Sequence, residues 1–271
     1  MTSAEPSRKL ALITGASSGI GAAFARAYAG RGFDVALVAR RADRLEALAA
    51  ELADRHGVEA FAIRADLAAC EAEGPVLAEM ARRGRVVEVL VNNAGFGITQ
   101  NFAAIPWSRQ RDFLMTMAVT PCALAHAVIP GMVERGSGVI INVASMVGYA
   151  PGVAGNSLYP AVKSLMIKFS QSLDAEYRGA GLRIVALCPG STVSEFGAAA
   201  GIPGREAQRP RFGVQTAEAV VEAAIRAADA GRVVVVPGWY NRLAVALMRL
   251  LPEPLVRGVI NAAAARYRPK E

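Results

Sequence analysis

Seven short apolar or β-branched runs recur along the chain, at residues 10–14, 34–38, 58–63, 88–91, 139–143, 183–187 and 232–236. Between them lie longer segments, 19–31, 43–56, 75–83 and 106–135 among them, in which Ala, Leu, Glu and Arg repeat at helical spacing. The first set predicts strands and the second helices. Their alternation implies an α/β fold, a parallel, doubly wound sheet covered by helices on both faces. Runs such as Val139-Ile140-Ile141 have no polar alternation, as a strand buried on both sides requires. No Pro-, Gly- or Ser-rich linker breaks the series and no repeat of fixed period is present, so residues 1–271 are expected to form a single domain.

Two stretches depart from the pattern. Residues 191–215 gather Gly197, Gly201, Pro203, Gly204, Pro210 and Gly213 among small residues, which predicts a mobile loop over a site. Residues 237–271 form a C-terminal helical extension. In it Leu243, Leu247, Leu250 and Leu251, then Leu255, Val259 and Ile260, recur at helical spacing beside Arg242, Arg249, Arg257, Arg266 and Arg268. Pro252 and Pro254 divide the extension, so neither half reaches the roughly twenty apolar residues of a membrane span. Two placements stay open: docking over the substrate pocket or a subunit partner, which is preferred, or weak contact with an acidic membrane surface.

Composition narrows the class. Of 271 residues, 53% are hydrophobic and 20% charged, which excludes disorder and requires much buried apolar surface. Lys and Arg outnumber Asp and Glu by 30 to 23, yet the basic residues are scattered and lack interleaved aromatic platforms, so no nucleic-acid partner is expected. An anionic cofactor or an acidic membrane face suits such a balance. Cys70, Cys122 and Cys188 are odd in number and widely spaced, which predicts neither a disulfide framework nor a metal knuckle. His56 and His126 show no ligand spacing, and no metal is expected. Residues 1–9 match neither a signal peptide nor a span, so the expected location is the cytoplasm.

Chemistry enters at Thr14-Gly15-Ala16-Ser17-Ser18-Gly19-Ile20-Gly21, between the first strand and the first helix. Glycines there allow a tight turn and close approach, and helix N-terminal amides favour a pyrophosphate, as in a Rossmann-type domain. The spacing is Gly-x-x-x-Gly-x-Gly rather than the commoner Gly-x-Gly-x-x-Gly. Further along come Asp66-Leu67, Asn92-Asn93-Ala94-Gly95, Ser145, Tyr159-x-x-x-Lys163 and Pro189-Gly190. In this order the motifs resemble the short-chain dehydrogenase/reductase family over residues 8 to 238.

The resemblance implies a cofactor site of Gly15, Ser17, Ser18, Gly19, Ile20 and Gly21 at the turn. Asp66 and Leu67 would flank the adenine, with Asn93, Ala94 and Gly95 lining its pocket. Pro189, Gly190, Thr192 and Ser194 would meet the nicotinamide carboxamide. At the end of the second strand, Ala39-Arg40-Arg41 offers a guanidinium and no carboxylate, which favours a ribose 2′-phosphate over a 2′-hydroxyl. NADP(H) is the expected cofactor, although Ser18 stands where many NADP enzymes of the family place a second basic residue.

Tyr159 and Lys163, four apart at a helix start, share one face. The family assigns Tyr159 the proton transfer, Lys163 the nicotinamide ribose and the lowering of the tyrosine pKa, and Ser145 a hydrogen bond to the substrate oxygen. Positive charge from Lys163 and the oxidised nicotinamide would supply a lowering of ~2 units or more, a change of roughly 3 kcal/mol, which suits acid–base work near neutrality. Asn156 or Ser157 is the expected cap of that helix. Ser145 precedes Tyr159 by fourteen residues, which implies a one-residue insertion in 146–158 relative to the family.

The family's active-site asparagine falls on Met117, which has no amide. In the family its backbone carbonyl holds a water, and Pro121 lacks the amide that would bond this carbonyl here. A simple proline kink beside a core methionine is the other reading. Phe96, Met146, Val147, Tyr149, Phe196 and Phe212 are expected to form an apolar substrate wall. The implied activity is an oxidoreductase interconverting a medium-sized apolar carbonyl compound and its alcohol, dimeric or tetrameric through helices 106–135 and 157–179. Its rivals are a cofactor-dependent epimerase or dehydratase, and a nucleotide-binding regulatory protein whose catalysis has lapsed.

Overall fold

The first strand, β1 (Leu10–Thr14), is buried at all five positions, and its side chains divide between two cores. Ala11 and Ile13 pack with Phe24, Val35, Leu37, Val220 and Ile225, whereas Leu10 and Leu12 pack with Ala36, Val38, Val76, Leu124 and Ile140. A strand with apolar neighbours on both faces must lie between two helical layers. Each fully buried Leu or Ile side chain is worth about 1.5–3 kcal/mol, so neither face tolerates a polar residue cheaply.

The computed structural model describes residues 8–152, 154–195 and 213–265. After β1 come α1 (Gly19–Ala29), β2 (Asp34–Ala39), α2 (Ala42–His56), β3 (Ala60–Arg64), α3 (Glu73–Arg82) and β4 (Val87–Asn92). Then follow α4 (Trp107–Leu114), α5 (Thr120–Glu134), β5 (Gly138–Val143), α6 (Leu158–Tyr177) and β6 (Leu182–Leu187). The chain continues with β7 (Ser191–Thr192), β8 (Val214–Gln215), α7 (Ala217–Asp229), β9 (Val234–Val235), α8 (Trp239–Leu250) and α9 (Glu253–Ala265). The main sheet has seven parallel strands in the order β3-β2-β1-β4-β5-β6-β9. The order reverses between β1 and β4, and in doubly wound sheets the crevice beyond the strand ends at such a switch is where ligands bind. The expected parallel Rossmann-type sheet with a helical extension is therefore what the chain forms.

Several elements differ from expectation for local reasons. The helix expected over 106–135 is divided by a π turn at Met115–Val119, where the Thr120 amide bonds the Met115 carbonyl five residues back. Pro121 follows at the start of α5. Trp107–Glu134 is long and apolar enough to cross a membrane by length and composition, but 56% of its most apolar window is buried in the fold, as in a core helix. The last strand shortens to Val234–Val235 at the sheet edge. Helix α7, not among the expected elements, buries Val220, Val221, Ala224 and Ile225 and packs on α1.

The ends of the expected loop 191–215 are tied together, since β7 pairs with β8 through Ser191↔Val214 and Thr192↔Gln215. Residues 196–212, with Phe196 and Phe212, lie outside the described residues. In the extension, α8 turns Asn241 and Val245 inward and α9 turns Val256 inward, so one face docks on the protein. The other face leaves Trp239, Leu243, Leu247, Leu250, Leu255 and Val259 exposed. Arg266 and Arg268 are outside the described residues.

Candidate active site

The turn after β1 owes its shape to two glycines in the left-handed region, Gly15 at φ 66° and Gly19 at φ 55°. It is braced from β4. Thr14 Oγ1 donates to the Val91 carbonyl at 3.2 Å and accepts from the amides of Asn93 and Ala94 at 2.9 and 3.1 Å. The Asn93 side chain donates to the carbonyls of Thr14 and Gly15. A Cβ at Gly21 would stand 2.2 Å from the Gly15 oxygen and 2.6 Å from Asn93 Nδ2. Gly21 thus lets α1 close against the turn. Ser18 makes no side-chain cap to α1, so the first-turn amides keep their capacity for an anion.

A second polar chain locks β4 to β5 and α6. Asn92 Nδ2 donates to Asn142 Oδ1 at 2.9 Å and to the Pro121 carbonyl at 3.2 Å. Asn142 donates to Ser170 Oγ, and Ser170 to the Met166 carbonyl. All three side chains are buried. Hydrogen-bonded networks of this kind in a low-dielectric core hold their elements in one register, although the buried Asn92 Oδ1 has no partner among the described residues.

These elements enclose a cavity of about 690 Å³. Gly15, Ser17, Ser18, Gly19, Ile20, Arg40, Asp66, Leu67, Asn93, Ala94 and Gly95 line one part of it. Ser145, Tyr159, Lys163, Pro189, Gly190, Thr192 and Ser194 line it as well. Of the residues assigned from the sequence, Gly21 stays behind the wall. Phe96, Met146 and Val147 reach the cavity as expected, whereas Tyr149 borders a smaller pocket beside Arg249. Met117 is buried, with its Sδ and Cε packed on Gly95, while its neighbour Thr116 reaches the cavity.

At the floor, Lys163 is buried and donates from Nζ to the Val143 carbonyl at 2.7 Å. Burial moves its pKa down to about 8. Tyr159 packs beside Phe113, with Lys163 Nζ 5.6 Å from its ring centroid. Burial raises the Tyr159 pKa, and a hydrogen bond with Ser145 pulls the other way. For the protein's own groups, removing a phenolate from water outweighs the nearby polar groups, whereas the expected lowering also draws on the positive charge of an oxidised nicotinamide. Ser145 Oγ also accepts from the Val147 amide at 3.2 Å, which fixes its place after β5. The buried Cys188 thiol beside Lys163 is pushed up to about 12, mainly by burial, and stays neutral. Ser157 precedes α6 without a side-chain cap, unlike the expectation.

Arg41 and Glu195 are among the cavity residues not assigned from the sequence. Arg41 donates to Ser17 Oγ at 2.9 Å, to Ser18 Oγ at 3.0 Å and to Glu195 Oε2 at 2.9 Å. Glu195 comes from the segment after β7 and also binds Arg44. No periodicity or motif marks a contact between positions about 150 residues apart. The position of Arg41 immediately after Arg40 was the available signal.

The short chain dehydrogenase family model matches residues 9–201. The chain is 33% identical over 265 residues to an uncharacterized oxidoreductase of Myxococcus xanthus, covering 98% of this chain and 100% of that one. It is similar to a short-chain dehydrogenase from Sphingobium yanoikuyae in complex with NADPH, at 34% identity and TM-score 0.78, covering 90% and 97% of the two chains. It also resembles the bulky-bulky ketone specific alcohol dehydrogenase from Comamonas testosteroni, at 30% identity and TM-score 0.74, with 90% and 95% covered. With this match over most of its length, and with the family's motifs gathered around one cavity, the chain belongs to the short-chain dehydrogenase/reductase family of oxidoreductases.

Proposed function

We propose that this chain is an NADP(H)-dependent carbonyl reductase/alcohol dehydrogenase for medium-sized apolar ketones, aldehydes or secondary alcohols, with Tyr159 as proton donor and acceptor. The carrying observation is that Ser145, Tyr159 and Lys163 share a cavity with the amide-rich start of α1. The residues fit a nicotinamide dinucleotide on the structure's own terms. A cavity of about 690 Å³ is of ligand size, its glycine turn admits close approach, and the α1 amides suit a pyrophosphate. Arg40, exposed at the rim, and Arg41 offer guanidinium donors to a 2′-phosphate.

When bound, the nicotinamide supplies a hydride to the carbonyl carbon or accepts one from the alcohol carbon. Ser145 holds the substrate oxygen by a hydrogen bond. Tyr159 gives its proton to that oxygen in reduction and takes one from the alcohol in oxidation. Burial favours the protonated phenol, so the acid is ready at neutral pH in the reductive direction. Lys163 carries positive charge beneath the ring and holds the ribose. Apolar lining by Phe96, Met146 and Val147 supports an apolar substrate, as does the likeness to a bulky ketone enzyme. Exposed Trp107, Val119 and Leu165 on α4, the π turn and α6 support pairing of copies through these helices.

A panel of apolar ketones and aldehydes, followed by loss of NADPH absorbance, tests this reading. Turnover of bulky apolar members is expected. Tight cofactor binding with no turnover across the panel would favour a non-catalytic nucleotide-binding protein.

A further inference from the structure

Glu195 brings a carboxylate from the segment after β7 to the residues that follow β2. Arg41 Nη1 meets it at 2.9 Å and Arg44 Nη1 at 2.6 Å. The same Arg41 guanidinium holds the hydroxyls of Ser17 and Ser18 at the glycine-rich turn. Ser17, Ser18, Arg40, Arg41 and Glu195 all line the one cavity. Pairing with the two arginines keeps the Glu195 carboxyl at about 2, so it is ionised throughout the neutral range.

In doubly wound folds the end of the second strand meets the ribose 2′ substituent. A 2′-phosphate brings nearly two negative charges and seeks the N–H donors that Glu195 holds. A free 2′-hydroxyl makes no such demand. We infer that Glu195 is a specificity-determining residue, an internal anion that competes with the 2′-phosphate for Arg41 and Arg44 and so lowers affinity for NADP(H) selectively. The inference rests on the NADP(H) reading above. Its sign is fixed by charge: a carboxylate beside the 2′-phosphate opposes it, whereas a strap closing over the whole dinucleotide would strengthen NADPH and NADH alike.

The test uses the full chain, wild type and Glu195→Gln, titrated with NADPH, NADH, 2′,5′-ADP and 5′-AMP at low and high salt. Glu195 is half exposed, and its replacement leaves the core untouched. The variant should bind NADPH and 2′,5′-ADP about 3- to 10-fold more tightly at low salt, with less gain at high salt. NADH and 5′-AMP should be unchanged. An unchanged NADPH affinity, or equal weakening of NADPH and NADH, would overturn the inference. The two readings separate cleanly: the wild-type NADPH-to-NADH ratio reports the cofactor preference, and the change in that ratio on substitution reports Glu195.

Discussion

The Lys163 ammonium hangs from the backbone carbonyl of Val143 at 2.7 Å, anchored to the end of β5 beneath the tyrosine rather than in solvent. Its depressed pKa of about 8 makes it a source of pH-dependent stability. Between that value and the ordinary lysine range the unfolded chain keeps a proton that the native chain has released, so native stability rises with pH there. Wild type should gain about 2 kcal/mol from pH 7 to 9.5 from this group. Lys163→Met lacks that gain. Urea unfolding at several pH values should therefore show the variant's stability falling relative to wild type as pH rises. Parallel pH profiles would show that Lys163 keeps an ordinary pKa.

Cofactor choice follows from the rim. Arg40→Ala should weaken NADPH by about 10-fold, in line with losing a hydrogen bond to a charged group, and leave NADH nearly unchanged. Arg41→Ala also releases Ser17 and Ser18 at the shared turn and should weaken both, NADPH more. Equal wild-type affinity for the two cofactors would contradict the assignment.

Helix α8 is seated against the site through Asn241. Its Nδ2 donates to the Pro237 carbonyl at 2.8 Å and to Gln215 Oε1 at 3.1 Å, and a Cβ at Gly190 would stand 2.4 Å from its Oδ1. Asn241→Ala should cost about 1–3 kcal/mol by leaving buried groups unpaired. Truncation after Gly238 should lower stability and raise KM. Lost cosedimentation with acidic vesicles, with kinetics and stability intact, would instead place the exposed Leu243, Leu247 and Leu250 on lipid.

The strands β1 to β6 were legible because continuous apolar runs leave few alternatives, and the site motifs were legible because most sit at strand ends and Tyr159 and Lys163 lie one turn apart on α6. Other features depend on geometry that no local pattern encodes. The π turn at Met115–Val119 lies just before Pro121, whose missing amide marked a disturbance of the helix but not its type. The shift of Tyr159 depends on how deeply the ring is buried, which residue spacing does not report. Gly21 is a glycine for packing against Gly15 and Asn93, a reason indistinguishable in sequence from contact with a ligand. The Arg41–Glu195 contact joins segments that only the folded sheet brings together.

The central claim is proton transfer by Tyr159, and Tyr159→Phe tests it most directly, because it removes one hydroxyl and little of the nucleotide surface. Single-turnover reduction of an apolar ketone that wild type accepts, with the NADPH Kd measured on the same sample, separates chemistry from binding. The account predicts loss of turnover by at least about 100-fold, the scale of general acid catalysis, with the NADPH Kd within about 3-fold of wild type. Wild-type turnover by the variant would contradict it and move the proton donor elsewhere.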